Sequence, residues 1–341
     1  MNTTVLKDKN YKFLTNSTLN EITRLLSNEL SKVNSLITSN LESKVPLVPI
    51  VSKHLVNSGG KRIRPILTLL SSKLFGYNSG ESHIELAACV EFIHMATLLH
   101  DDVIDNSLMR RGSPTANSIW GNKTSVLVGD FLFSKAFQIM VKNGSLSILN
   151  ILSETSSVLA QGEVMQLSMA NNIETNEKNC FRVIEDKTAK LFEAACKVGG
   201  VIAEANDEEI RKIAEYGRYI GISFQLIDDA MDYKSDSNKT GKRKGDDFRE
   251  GKVTLPLIMA VLRGNEKEKI FWKRVIEDLD QNEGDFEEAL RIIHKYDTIE
   301  ETIKKAKVYT SNAIDVLSSL PNNLYKDALI EISSFSSNRS S

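Results

Sequence analysis

Apolar residues recur at helical spacing along almost the whole chain, and only six prolines stand in their way. Ile210, Ile213, Gly217, Ile220, Phe224, Ile227 and Met231 step by three and four, the seam of a buried helix. No comparable run alternates apolar and polar residues between hairpin turns, so strands are not expected. The spacing predicts helices over 18–42, 46–75, 83–109, 115–141, 145–171, 176–199 and 207–234, with shorter ones after 253. Polar clusters at 78–82, 170–179 and 234–247 mark loops. Neither a solenoid period nor a shift in composition divides the chain. The expectation is an all-α fold: one large helical domain over 16–335, between a mobile N-terminal segment, 1–15, and a mobile tail, 336–341.

Composition narrows the function more than the fold. The chain has 341 residues, 41% of them hydrophobic, which is ample for a sizeable core. Its 43 basic and 45 acidic residues leave a formal charge of -2, so no global field favours nucleic acid or an anionic membrane. Electrostatic work must then be local. Cys89, Cys180 and Cys196 are odd in number and widely spaced, without a CxxC pair. That usage suits the reducing cytoplasm and argues against a disulfide framework or a zinc knuckle. The first twenty residues show neither the apolar core of a secretory signal nor an Arg-rich transit face. Nowhere do eighteen apolar residues run unbroken, and on that ground no bilayer-spanning helix is expected.

One short pattern occurs twice. DDVID places Asp101, Asp102 and Asp105, and DDAMD places Asp228, Asp229 and Asp232. His94, Leu98, Asp101 and Asp105 step by four, three and four, as do Gly221, Gln225, Asp228 and Asp232, so each motif ends a polar line beside an apolar seam. Carboxylates four apart on a helix lie one turn apart on one face, where like charges repel and a cation belongs between them. Hard oxygen donors without cysteine suit Mg²⁺, which keeps several waters and bridges carboxylates to phosphates. A single DxxxD is usually a solvated acidic face. Two copies, each against an apolar seam and followed by basic residues, favour a metal site instead.

Basic residues supply the other half. Lys61, Arg62 and Arg64 sit in SGGKRIRP, and Arg110 and Arg111 follow the first acidic motif. Guanidinium forks grip phosphate oxygens in pairs, and lysine adds a point charge. Lys187 and Thr188, in EDKTAKLF, would by themselves read as helix surface. Glu91 and His94 form the ExxH of an iron-binding bundle, but no second ExxH accompanies it, which argues against that class.

GGKRIRP, EFIHMATLLHDDVIDNSLMRRG, VGD, QGEVMQL, DKTAKLF and FQLIDDAMDY followed by GKRKGDDFREGKVTLPL together resemble the trans-prenyl diphosphate synthases. The likeness is strongest to the long-chain branch, which makes octaprenyl, solanesyl and decaprenyl diphosphates for quinone side chains such as that of ubiquinone. The resemblance implies an all-α bundle around a deep central cavity, the isoprenoid synthase type I fold, usually a homodimer. It implies that Asp101, Asp102, Asp105, Asp228, Asp229 and Asp232 hold Mg²⁺ on an allylic diphosphate such as farnesyl diphosphate. Lys61, Arg64, His94 and Arg111 would bind isopentenyl diphosphate. Arg110, Lys187, Thr188 and Gln225 would contact the allylic diphosphate, with Lys242 and Lys252 nearby; the aspartates, Arg110 and Lys187 would be catalytic.

The implied reaction is repeated head-to-tail condensation to a long all-trans polyprenyl diphosphate of about forty carbons. Ala96 and Thr97, both small, lie one turn below the first motif, where relatives with short products often carry an aromatic plug. A product longer than fifteen carbons is therefore expected, and Ala96→Phe is expected to shorten it. A geranylgeranyl-type synthase with a shorter product is the alternative within the family, and a non-catalytic subunit of a heteromeric synthase is another. Such subunits tend to lose an acidic motif or the basic residues, which this chain keeps. A class I terpene cyclase would normally replace the second DDxxD with an Asn/Ser/Glu-type motif.

Overall fold

The structure, a computed structural model, describes residues 16–234 and 245–337. Lys242, the segment 1–15 and most of the tail expected at 336–341 lie outside the described residues. The predicted helix 18–42 is two, α1 (Asn16–Leu25) and α2 (Ser27–Asn40). The stretch 46–75 also divides, into α3 (Leu47–Asn57) and α4 (Ile63–Leu74). Between them Gly59 takes φ 85° and Arg62 φ 51°, left-handed backbone that a continuous helix cannot contain.

α5 (Ser82–Ile104) stops short of the predicted 109. A two-residue antiparallel ladder follows, β1 (Met109–Arg110) against β2 (Ser113–Pro114), with Arg110 opposite Ser113. Then come α6 (Ala116–Trp120), α7 (Asn122–Asn143) and α8 (Leu146–Met169). Gly144, at φ 76°, closes α7, and the Ser145 hydroxyl caps α8 by accepting from Ile148 N at 3.3 Å. α9 (Glu177–Val183) runs through a π-helical turn, Ile184–Ala189, into α10 (Lys190–Ile202). α11 spans Asp207–Lys234, as its periodicity predicts. Helices α12 (Asp246–Arg249), α13 (Leu255–Arg263), α14 (Glu266–Trp272), α15 (Asp285–Lys295), α16 (Thr298–Leu317) and α17 (Leu324–Ser337) complete the bundle.

The 28 residues of α11 make it the spine, about 42 Å long at 1.5 Å per residue. Its first half sends Ile213, Tyr216 and Ile220 into a core shared with α4, α5, α7 and α10. Its second half sends Ile222, Leu226, Ile227, Ala230 and Tyr233 into another, shared with α13 to α16. DDAMD lies on that second half, so the scaffold beneath it is packed.

The expectation that no helix crosses a bilayer rests on unbroken apolar runs, a narrower test than length and mean hydropathy. By length and mean hydropathy α5 and α7 both pass, because the test of an unbroken run overlooks apolar helices broken by a few polar residues. In α5, 72% of the apolar window is buried within the protein, so its apolarity is that of a core helix. α7 buries 39% of its window and leaves Leu127, Phe137 and Val141 exposed.

Candidate active site

α5 and α11 bring the two acidic motifs to one cavity of about 1230 Å³, larger than the roughly 300–1,000 Å³ of ordinary small-molecule pockets. Asp101 lines it from α5, Asp105 from the cap position that follows, and Asp228, Asp229 and Asp232 from α11. Apolar side chains form the rest of the wall: Leu98 on α5, Leu159 on α8, Leu191 and Phe192 on α10, and Phe224 and Ile227 on α11. Such walls exclude water and strengthen every charge interaction at the carboxylate end. Burial pushes the Asp101 carboxyl up to about 7; Glu163 and Asp105 add to the rise, while Lys187 and Arg110 oppose it. Crowded, desolvated carboxylates of this kind favour a cation in their midst.

The donors of both motifs line the same cavity, and among the described residues no three His, Cys, Asp or Glu side chains form a closed metal cage. That arrangement fits Mg²⁺, which takes one or two carboxylates and fills its remaining positions with water and phosphate oxygens. Cys180 also lines the cavity, but burial raises its thiol pKa and keeps it protonated, which leaves an all-oxygen donor set.

Cations line the adjoining wall. Lys61, Arg62 and Arg64 come from the start of α4, and Arg110 and Arg111 from the ladder after α5. Arg64 is partly buried, and desolvation lowers its pKa to about 10, still charged at neutral pH. Its guanidinium carbon sits 4.5 Å from the Phe192 ring centre, and its Nε has no hydrogen-bond partner among the described residues. A buried donor left open in a cavity calls for an anion. His94 is driven well below the usual imidazole range by burial and by Arg64, Arg111 and Arg110, so it is neutral there. Arg111, at φ 52°, donates through Nη1 to Gly59 O and ties the ladder to the glycine turn. Lys61 Nζ lies 4.6 Å over the Phe335 ring, which brings α17 to the edge of this half.

On the opposite wall the π-helical turn presents Lys187 and Thr188, a local widening often found at functional positions. Two glycines make room for it. A Cβ on Gly162 would fall 2.7 Å from Lys187 N, and one on Gly221 2.5 Å from Ala189 Cα. Lys187 Nζ is held by Glu163 Oε2 and Gln166 Oε1, each at 2.6 Å. Thr188 Oγ1 donates to Gln225 Oε1 at 2.8 Å, and Gln225 Nε2 donates to Asp229 Oδ1 at 2.7 Å, a relay from α11 to the turn. Lys252 Nζ bridges Asp105 at 2.8 Å and Glu250 at 2.7 Å.

Thus Lys61, Arg64, His94, Asp101, Asp105, Arg110, Arg111, Lys187, Thr188, Gln225, Asp228, Asp229, Asp232 and Lys252 share one cavity. Two expected residues do not reach it. Asp102 is 1% exposed and is clasped by Arg110, Nη2 to Oδ1 at 2.7 Å and Nε to Oδ2 at 3.1 Å. One residue of helix turns its side chain about 100° from Asp101, so its carboxylate orients Arg110 and does not face the cavity. Ala96 is fully buried in the core for the same reason, while Thr97 beside it lines the cavity.

Sequence reasoning missed others. Glu163 sits inside the quoted QGEVMQL, and only the approach of α8 to the π turn reveals that it holds Lys187. Asp246 and Asp247 extend the acidic rim, and Asp247 N donates to Asp232 Oδ2 at 3.2 Å. The acidic pair in KGDDFREGK was the available signal.

A family model described as polyprenyl synthetase matches residues 45–293, which include both acidic motifs and every wall of the cavity but the Phe335 edge. The chain belongs to the polyprenyl synthetase family. Octaprenyl diphosphate synthase from Haemophilus influenzae is 41% identical over 321 residues, 94% of this chain and 97% of that one. The crystal structure of a decaprenyl diphosphate synthase from Rhodobacter capsulatus superposes with TM-score 0.91 at 45% identity, covering 95% of this chain and 99% of that one. That of a Caulobacter crescentus polyprenyl synthase, complexed with calcium and isoprenyl diphosphate, gives 0.92 at 40% identity, covering 97% and 100%. The fold is therefore the all-α isoprenoid synthase fold, and the protein is a prenyltransferase of this family.

Proposed function

We propose that this enzyme makes a long-chain, octaprenyl-sized all-trans diphosphate by repeated addition of isopentenyl diphosphate to farnesyl diphosphate, as a quinone side-chain precursor such as that of ubiquinone. Asp101 and Asp105 on one side, and Asp228 and Asp232 on the other, would hold Mg²⁺. Bound there, the cation would neutralise the diphosphate leaving group as the carbon–oxygen bond breaks. Arg110, Lys187 and Lys252 grip the allylic diphosphate, and Asp102 and Glu163 keep the first two aimed. Lys61, Arg64 and Arg111 bind the second diphosphate, so the isopentenyl double bond is held against the carbon being uncovered. Leu98, Phe192 and Phe224 keep water from that carbon.

One observation carries this reading: carboxylates from both motifs line one cavity with apolar walls, which Arg64, whose buried Nε has no partner among the described residues, also lines. Purified protein incubated with farnesyl diphosphate, isopentenyl diphosphate and Mg²⁺ should yield octaprenyl-sized products, and none after chelation. The Phe192 and Phe224 rings, 5.5 Å apart, narrow the lower cavity and favour a second reading, a geranylgeranyl-type synthase; a product that stops at one addition would select it. We read the exposed apolar side of α7 and α8, with Leu127, Val141, Val164 and Leu167, as the seat of a second copy in a homodimer. The three free, buried cysteines fit work in the cytoplasm.

A further inference from the structure

The reaction leaves one buried ion pair unused. Glu91 stands on α5 about 15 Å of helix rise below Asp101, at the basic end of the cavity. Its side chain is 6% exposed and pairs with Arg62 Nη1, whose side chain is 17% exposed. Both residues line the cavity. Neither has a role in the condensation proposed above.

Arg62 is the hinge of the turn between α3 and α4. Its backbone is left-handed, at φ 51°, a conformation that a residue with a side chain keeps only where its surroundings hold it. Its carbonyl accepts from Ile66 N at 3.0 Å and so starts α4. Lys61 precedes this hinge, Arg64 follows it, and the Arg111 bond to Gly59 ties down its other side. Glu91 holds the Arg62 side chain from α5, the rigid helix that also carries His94. Among the charges around Arg64, Glu91 is also the one that most opposes the fall of its pKa on burial. A carboxylate amid Lys61, Arg62, Arg64 and Arg111 spends attraction that a diphosphate could use, and a buried pair adds little net stability. Its placement therefore points to orientation.

We infer that Glu91 is a positioning residue for the isopentenyl diphosphate half of the cavity: through Arg62 it sets the turn that aims Lys61 and Arg64. This rests on the reading of the cavity given above. Steady-state kinetics of Glu91→Gln, Arg62→Met and the double variant test it. Each single variant should raise the KM for isopentenyl diphosphate about tenfold, with the KM for the allylic diphosphate and kcat changed less than about twofold. The double variant should be no worse than the poorer single one, because the two residues act as a unit. Arg62→Lys, which keeps a cation for Glu91, should recover most of the loss, and serves as the test should Glu91→Gln fail to fold. An unchanged KM for isopentenyl diphosphate in a folded variant, or an equal rise in both KM values, overturns the inference. A wild-type protein that condenses no isopentenyl diphosphate instead overturns the proposed function, and this inference with it.

Discussion

The two acidic motifs have the same spacing and stand in different surroundings. DDVID ends its helix: α5 closes at Ile104 and Asp105 is the cap residue, where the carbonyl end of the helix dipole repels a carboxylate. Cations answer that repulsion, Arg110 at Asp102 and Lys252 at Asp105. DDAMD lies inside α11, which runs on to Lys234, and its middle aspartate is steadied by the neutral amide of Gln225. One turn below Asp101 stands Thr97; one turn below Asp228 stands Phe224. Equal spacing thus builds unequal halves, one closing its helix over a small residue and the other lying within its helix over an aromatic ring.

The comparison breaks first at the residues it treats as equals. Asp101→Ala and Asp228→Ala should each lower kcat about a thousandfold with little change in Tm, since both face the cavity. A variant that kept near wild-type turnover would remove its motif from the chemistry. The middle aspartates should separate. Asp102→Asn strips a buried pair from Arg110 and should cost about 3 kcal/mol of stability, measured by denaturant unfolding, besides loosening Arg110. Asp229→Asn keeps a side-chain oxygen that can accept from Gln225 Nε2 and should cost about 1 kcal/mol. Equal losses would dissolve the distinction.

The raised pKa of Asp101 adds a pH signature. Its proton must leave before a cation can bind, so below about 7 the proton competes and above it the competition ends. The Mg²⁺ concentration for half-maximal turnover should fall about tenfold between pH 6 and pH 8, and Asp101→Asn should flatten that dependence. A wild-type profile that is flat, or slopes the other way, would place the protonated group elsewhere. The smallest change concerns the step below the motifs. Thr97→Phe places a ring under both and should shorten the product by one or two isoprene units, read by product sizing. Ala96→Phe should instead overpack the core by about 1–3 kcal/mol and leave product length alone.

Much of this was legible in the sequence, for identifiable reasons. The seam from Ile210 to Met231 predicts α11 because a long helix between two cores needs apolar residues over its full length. The repeated carboxylates predict the cavity wall because same-face spacing is a property of one helix alone. What the sequence hides is relational. The break at Gly59 to Arg62 disappears in the apolar run from 46 to 75, although SGG was a fair signal for it. Whether Ala96 or Thr97 faces the cavity depends on the rotation of α5, which its neighbours set. Glu163 gains its partner from the π turn, a local widening with no composition signal of its own.

The central claim is that both rows of aspartate hold divalent ions at a shared diphosphate site. Titrating Mn²⁺ into the protein with inorganic pyrophosphate, and counting bound ions by electron paramagnetic resonance, tests it most directly. Wild type should bind Mn²⁺ tightly only with pyrophosphate present, and Asp101→Ala and Asp228→Ala should each lose bound ions. Binding unchanged in either variant, or indifferent to pyrophosphate, would contradict the account.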